Sequence, residues 1–127
     1  MTSVTNLLAV AVGGSAGSVA RYVLGGLISE RMPAGFPYGT LFVNVTGSFL
    51  LGLIATLALD RFMVPRVWFV LLGAGFCGGY TTFSTFSYET LRLAAEGSWG
   101  RAGLNVLVSV VASLAGGALG ILAGRAL

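Results

Sequence analysis

The sequence predicts an all-α integral membrane protein with four transmembrane helices, and three observations lead to this prediction. Hydrophobic residues make up 56% of the 127-residue chain and charged residues only 9%, with a mean hydropathy of +0.93. Four apolar stretches each reach the length of about 20 residues that a membrane-crossing helix needs. Only short linkers separate them. We therefore expect a single four-helix transmembrane domain covering residues 1–127.

The linkers set the limits of the four spans. The first contains Pro33, Gly35 and Pro37, and the second, residues 60–65, ends in a proline. Both residue types interrupt helices. Residues 96–98 form the third linker. A cleaved signal peptide is not expected, because the first stretch lacks a basic leader and three more spans follow it. The predicted spans are residues 4–28, 38–59, 66–95 and 99–126.

The third span contains the most unusual stretch of the chain, Gly73–Glu89, which reads GAGFCGGYTTFSTFSYE. It combines glycines with threonine and serine hydroxyls inside an apolar segment. A membrane helix tolerates a break only where the freed backbone groups find partners in protein, water or an ion. We therefore predict a helix broken in mid-membrane around an ion site. The glycines expected to release the backbone are Gly73, Gly75, Gly78 and Gly79.

Small and polar residues recur at intervals of four in the other spans, which places them on single helix faces. Lines of glycine are expected to be packing surfaces, because close approach drives helix association in lipid. A hydrogen bond to a neighbouring helix is enough to explain the presence of any single serine or threonine in a span. Combined with the third span, however, the polar lines can form a track for a dehydrated ion. The glycine lines include Gly13 and Gly17, and Gly116, Gly120 and Gly124, and the polar lines include Asn44, Ser48, Asn105, Ser109 and Ser113.

The chemistry of this track favours an anion. Asn44 has two N–H donors and each hydroxyl has one. Phe83 and Phe86 can turn the positive edges of their rings toward a small anion, although core packing is an equally good explanation for them. Arg21 is a positive charge inside the first span, expected mainly to snorkel or to hold helix ends together. Glu89 is the one carboxylate well inside a span, and its role is open between pairing, hydrogen bonding and proton transfer.

The basic residues are nearly balanced between the two sides of the predicted bundle. Seven arginines face four carboxylates, giving a net charge of +3. Because the arginines are scattered near span ends, they indicate membrane topology and no nucleic-acid partner. A chain with so small a bias inserts either in one orientation or in both, and in the second case two copies can pair as an antiparallel homodimer. One side has Arg61, Arg66 and Arg125, and the other has Arg31 and Arg101, with Arg92 nearby.

Three motifs give the chain a family resemblance: GGSAGSVARY at 13–22, GTLFVNVTGSFLLG at 39–52 and GFCGGYTTFSTFSYE at 75–89. Over nearly its whole length the sequence resembles the small fluoride channels of the Fluc (CrcB) family. The third motif is the most specific, since it combines a helix break with paired phenylalanines. The fourth span matches mainly in character, through Asn105, Ser109 and Ser113.

The resemblance implies a passive fluoride channel that lowers cytoplasmic fluoride from the prokaryotic cell (inner) membrane. It implies a dual-topology antiparallel homodimer in lipid, with two pores at the subunit interface. A structural sodium ion on the two-fold axis would be held by the backbone carbonyls of Gly78 and Thr81. Asn105 stands where family members often have another polar or aromatic residue. The pore residues implied are Asn44, Thr82, Phe83, Phe86, Ser109 and Ser113, with Arg21, Glu89 and Asn105 as possible support.

Other classes of function stay open from the residues alone. A proton-coupled fluoride antiporter would use Glu89. A small dual-topology multidrug exporter normally needs a membrane-embedded carboxylate, which the first span lacks. A structural membrane subunit is a further alternative. An enzyme is not expected, because histidine and lysine are absent, no nucleophile has a visible base, and GAGFCGGYTT lacks the lysine of a phosphate-binding loop.

Overall fold

The structure is a computed structural model that describes residues 3–127, and within that range it contains helices and connecting loops but no strand. Four helical stretches are long and apolar enough to cross a membrane, which confirms the four predicted spans. The first runs three residues further than expected, to Arg31. The first two helices are α1, Val4–Arg31, and α2, Tyr38–Ala55, which continues in π geometry as Thr56–Asp60. The third span, Arg66–Ala95, consists of two helices. They are α3, made of Arg66–Phe69, Val70–Cys77 in π geometry and Gly78–Tyr80, and α4, Phe83–Ala95; the fourth span is α5, Trp99–Ala126.

Local signals in the sequence explain where these helices begin and end. The hydroxyl of Ser3 accepts a hydrogen bond from the N–H of Asn6 at 3.1 Å and caps the start of α1. Gly97 has a φ of +85°, and the Ser98 N–H next to it donates to the carbonyl of Leu93 at 2.8 Å, which closes the end of α4. The third linker is therefore a tight turn.

The helices pack through their glycine lines, as predicted. α1 lies against α3, and α2 lies against α5. A Cβ built on Gly13 would collide with the carbonyl oxygen of Leu71, and one built on Gly120 would collide with that of Phe49. Backbones this close leave no room for a side chain. In lipid, such backbone contact replaces the hydrophobic drive that packs soluble helices.

The distribution of polarity is the reverse of that in a soluble protein. Large apolar side chains such as Leu107 and Leu114 are exposed, whereas Asn105 and Ser109 are buried, at 1% and 6% exposure. An outer surface of leucine and valine around a partly polar interior suits a lipid environment. We therefore treat the protein as a multi-pass membrane protein.

Candidate ion-binding groove

Helical geometry stops after Tyr80 and resumes at Phe83. Thr81 has φ −91° and ψ 157°, and Thr82 has φ −151° and ψ 115°, so both residues are extended. The Thr82 hydroxyl accepts the N–H of Thr85 at 3.2 Å and caps the start of α4. The interruption thus lies within the stretch of sequence that predicted an ion site.

Two of the glycines expected to release the backbone, Gly75 and Gly79, lie against α1. Gly78 is helical, with φ −62° and ψ −37°. A Cβ on Gly75 would lie 3.1 Å from the Cα of Gly13, and one on Gly79 would lie 2.5 Å from the Gly14 carbonyl oxygen. Gly75 and Gly79 therefore let α3 approach α1, and the backbone leaves helical geometry just after the glycines, at Thr81 and Thr82.

The side chain of Asn44 on α2 holds the extended segment in place. Its Nδ2 donates to the Thr82 carbonyl at 3.1 Å, and its Oδ1 accepts the Thr82 N–H at 2.8 Å. One amide side chain therefore pairs with both polar groups of a single backbone residue, as a neighbouring strand would. The freed backbone is satisfied by protein at this point.

This pairing diverts donors from two backbone carbonyls. An uninterrupted helix would direct the N–H groups of Thr82 and Thr85 to the carbonyls of Gly78 and Thr81. Here they donate to Asn44 Oδ1 and to the Thr82 hydroxyl. The neighbouring carbonyl of Gly79 accepts from Arg21 Nε at 3.0 Å. The carbonyls of Gly78 and Thr81 are consequently released from the helical pattern.

Phe83 and Phe86 begin α4 and stand side by side. Their ring centroids are 5.4 Å apart and the ring planes are tilted by 52°. Phe86 is buried, at 8% exposure, whereas Phe83 is 77% exposed. The pair therefore consists of one ring fixed in the interior and one ring on the open surface of the chain.

These features meet in a single outward-facing groove of about 540 Å³ between α2, α3, α4 and α5. It collects all eight residues that the sequence analysis assigned to the sodium site and the pore. Most of its wall is apolar, so each polar atom in it stands out electrostatically. The predicted residues that line it are Asn44, Gly78, Thr81, Thr82, Phe83, Phe86, Ser109 and Ser113, joined among others by Ser48, Leu51 and Cys77.

The three residues named as possible support lie outside the groove. Arg21 lines a separate cavity of about 230 Å³, which Thr82 and Thr85 also border. Glu89 lines a third cavity, of about 340 Å³, near the first linker, and its Oε1 is buried without a hydrogen-bond partner in the described residues. Asn105 is enclosed behind the groove, where it contacts Ser109. None of the three touches the groove directly.

Two residues of this region were not among the predicted site residues. Ser48 lines the groove and donates to the carbonyl of Asn44 at 2.7 Å. Its position four residues after Asn44 placed it in the same polar line, although it was not named as a pore residue. Thr90 on α4 accepts a hydrogen bond from Asn105 Nδ2 at 2.9 Å. Nothing in the sequence indicated that contact, because it depends on how α4 and α5 are rotated against each other.

Within the described part of the chain, the groove lining contains no charged side chain, so its polar groups are neutral. In residues 3–127 the structure shows one salt bridge, between Arg92 and Glu96 at 3.0 Å, and it is exposed. The same residues contain no group of three or more histidine, cysteine, aspartate or glutamate side chains able to hold a metal ion. A cation in this region would therefore depend on backbone carbonyls.

Fold and groove together define a class: a small helical membrane protein with an interrupted third span and a polar-lined groove. The sequence profile of CrcB-like protein, Camphor Resistance (CrcB), matches residues 8–121, and the chain belongs to this family. It is 48% identical over 119 residues to the fluoride-specific ion channel FluC of Geobacter metallireducens, covering 94% of this chain and 96% of that protein. It is 49% identical to the protein of that name in Geobacter sulfurreducens, covering 97% and 99%, and 47% identical to one from Coxiella burnetii, covering 96% and 99%.

Proposed function

We propose that the protein is a fluoride-selective passive ion channel and that the groove is one wall of its pore. The observation that carries the proposal is the convergence of Asn44, Phe83, Phe86, Ser109 and Ser113 on one groove. Relatives that share nearly the full length are named fluoride-specific ion channels, and by name they are channels and not enzymes.

The groove has the chemistry that a small anion requires. Fluoride gives up strongly bound water on entering a narrow path, so it needs N–H and O–H donors at short range. Asn44 has a second Nδ2 proton beyond the one that it donates to Thr82. The edges of Phe83 and Phe86 add weak positive character in a wall that is otherwise apolar.

A sodium ion at the carbonyls of Gly78 and Thr81 is part of the proposal. Both carbonyls are released from the helical pattern, and carbonyl oxygens are suitable ligands for a hard cation. Gly78 is exposed and Thr81 half-buried, both at the groove. An ion bound there would be structural, and its positive charge would favour anions nearby.

The open side of the groove supports pairing with a second copy. Phe83 is 77% exposed on a single chain, although the proposal places it in a pore wall. An antiparallel homodimer would cover this face, and the near balance of arginines between the two sides fits insertion in both orientations. Dual topology can be tested with Ala34→Cys, at an exposed linker position, because the native Cys77 is buried. Labelling from both faces of intact cells or vesicles is expected, and labelling from one face alone would exclude it.

The direction of transport follows from the membrane potential. A passive anion path expels fluoride from a cell whose interior is negative, which lowers the cytoplasmic concentration. We place the protein in the prokaryotic cell (inner) membrane for that reason. One observation favours a second candidate, a proton-coupled antiporter: Oε1 of Glu89 is buried, lines a cavity and has no hydrogen-bond partner in the described residues.

Fluoride efflux from liposomes tests the proposal. Purified protein is reconstituted in vesicles loaded with either potassium fluoride or potassium chloride, and valinomycin starts efflux that a fluoride or chloride electrode records. Rapid efflux with retained chloride, faster with sodium than after its replacement by a large organic cation, is the expected result. Vesicles that keep their fluoride would indicate a structural subunit. Efflux driven by a proton gradient and uncoupled by Glu89→Gln would indicate the antiporter.

A further inference from the structure

A buried chain of hydrogen bonds behind the groove joins α5 to α4. Ser109 Oγ donates to Asn105 Oδ1 at 3.0 Å, and Asn105 Nδ2 donates to Thr90 Oγ1 at 2.9 Å. Thr90 Oγ1 in turn donates to the carbonyl of Phe86 at 2.8 Å. Asn105 is 1% exposed and Ser109 is 6% exposed, so water does not compete for these groups. Only Ser109 and Phe86 also line the groove.

The direction of every proton in this chain follows from its last acceptor. A backbone carbonyl has no proton, so Thr90 must donate its only one to Phe86. Thr90 Oγ1 then accepts from the Asn105 amide, which points Nδ2 toward α4 and Oδ1 toward Ser109. The Ser109 hydroxyl has one proton, and Asn105 Oδ1 receives it. Turning the Asn105 amide over would place Nδ2 beside Ser109 and so release the Ser109 proton. It would also place Oδ1 beside Thr90, which would then donate to Oδ1 and lose its bond to the Phe86 carbonyl.

We propose that Asn105 is a positioning residue that, together with Thr90, keeps the hydroxyl proton of Ser109 out of the groove. Ser109 then presents oxygen lone pairs to the groove in the resting state. It donates to an anion only when the Asn105 amide turns over. The inference rests on the proposed function, since it concerns how firmly the same groove holds fluoride.

The other hydroxyls of the groove make the Ser109 proton decisive. Ser48 donates to the Asn44 carbonyl at 2.7 Å, and Thr81 donates to the Cys77 carbonyl at 2.9 Å. Within residues 3–127 the Ser113 hydroxyl has no hydrogen-bond partner, which leaves its proton available. Few donors therefore face the groove at rest. Conduction requires sites that bind well enough to admit an ion and weakly enough to release it. Keeping the Ser109 proton out of the groove therefore holds fluoride binding weak enough for release.

Two substitutions release this proton without altering the groove lining. Asn105→Leu removes the acceptor of Ser109, and Thr90→Val removes the acceptor of Asn105, so that the amide no longer prefers one direction. The fluoride concentration at half-maximal efflux is expected to fall between about twofold and tenfold in Asn105→Leu, the range of one neutral hydrogen bond. The maximal rate falls as well, because release is slower. Thr90→Val shifts in the same direction by less, and Thr90→Ser, which keeps the hydroxyl, matches the wild type.

Adding Ser109→Ala to Asn105→Leu separates proton release from loosened packing. The double variant lacks the freed hydroxyl, so its half-maximal concentration is expected to rise again toward the wild-type value. A lower rate at an unchanged half-maximal concentration in Asn105→Leu would show a merely structural role and would overturn the proposal. So would a double variant that stays as tight as Asn105→Leu.

Crystal structures of the wild type and Asn105→Leu keep this inference testable apart from conduction. Ser109 Oγ is expected within hydrogen-bond distance of Asn105 Oδ1 in the wild type. In Asn105→Leu, which has no acceptor there, it is expected to rotate toward the groove in a fraction of the molecules. A wild-type Ser109 already turned into the groove would overturn the proton assignment even in a conducting protein. Wild-type vesicles that retain fluoride would instead refute the proposed function and leave the proton assignment to the crystal structures.

Discussion

The two halves of α5 follow the same spacing with different chemistry. In the C-terminal half, a Cβ on Gly116 or Gly120 would meet carbonyl oxygens of α2, so these positions bring two backbones together. In the N-terminal half, Asn105 and Ser109 are just as buried but are joined by hydrogen bonds. A period of four residues therefore identifies the buried face of a membrane helix. Whether that face packs or binds depends on the side chains.

Substitution in the packing half should have the largest effect. Gly120→Leu places a side chain against the carbonyl of Phe49, where the backbone cannot yield, and we expect destabilisation of about 3 kcal/mol, at the upper end for overpacking. Unfolding in detergent, followed by helical circular dichroism, measures the loss. Gly103→Leu is the matched control on the same helix, because a Cβ there meets nothing within 4 Å. Equal stability of the two variants would contradict the packing assignment.

Replacing both rings should abolish transport while the fold survives. Phe83→Ile with Phe86→Ile keeps the side chains large and apolar but removes the ring edges, so fluoride efflux is expected to fall to near background. Size-exclusion chromatography in detergent checks that the variant is folded. Val110→Ile serves as the control, because Val110 lines the groove at an exposed position and its side chain has no hydrogen-bond donor. Undiminished flux in the double variant would show that the rings only pack.

Two substitutions of Asn44 distinguish its support of the extended backbone from its contact with the ion. Asn44→Leu removes both hydrogen bonds to Thr82, and we expect a loss of about 1 to 3 kcal/mol in stability, the cost of unpaired buried groups, together with most of the flux. Asn44→Asp keeps an acceptor for the Thr82 N–H but places a negative charge beside the path. It should therefore retain more stability than Asn44→Leu and still fail to pass fluoride. An Asp variant that conducts normally would remove Asn44 from the pore.

The smallest effect is expected at Ser113, which lines the groove and has no hydrogen-bond partner among the described residues. Ser113→Ala should lower flux by about twofold to tenfold, the range of one hydrogen bond, and leave the unfolding free energy within about 0.5 kcal/mol. Ser15→Ala is the control, since Ser15 Oγ donates to the carbonyl of Ala11 on the exposed side of α1. Identical fluxes in both variants would show that Ser113 is not a donor in the path.

Much of the architecture could be predicted because lipid imposes simple rules. Long apolar stretches fix the number and limits of the spans, and the glycine lines at Gly13 and Gly120 fix which faces meet. The groove residues were predictable in identity because the polar side chains of an apolar chain are few. Asn44 and Ser109 had to find partners somewhere in the interior.

The position of the helix break could not be predicted to the residue. Glycine in the sequence allows either a break or a close helix contact, and only the tertiary packing decides between them. At Gly75 and Gly79 the approach of α1 favours contact, and the amide of Asn44 stabilises extended backbone at Thr82. The donor directions at Thr90 and Asn105 are hidden for the same reason, since they depend on two helices meeting.

The bond between Asn44 and Thr82 also has a consequence for biosynthesis. Asn44 precedes Thr82 by 38 residues, so the second span has left the ribosome before the extended backbone follows it. When the N–H and carbonyl of Thr82 reach the translocon, the Asn44 side chain that pairs with them has already been synthesised as part of α2. The order of synthesis thus shields two backbone groups that lipid would leave unpaired.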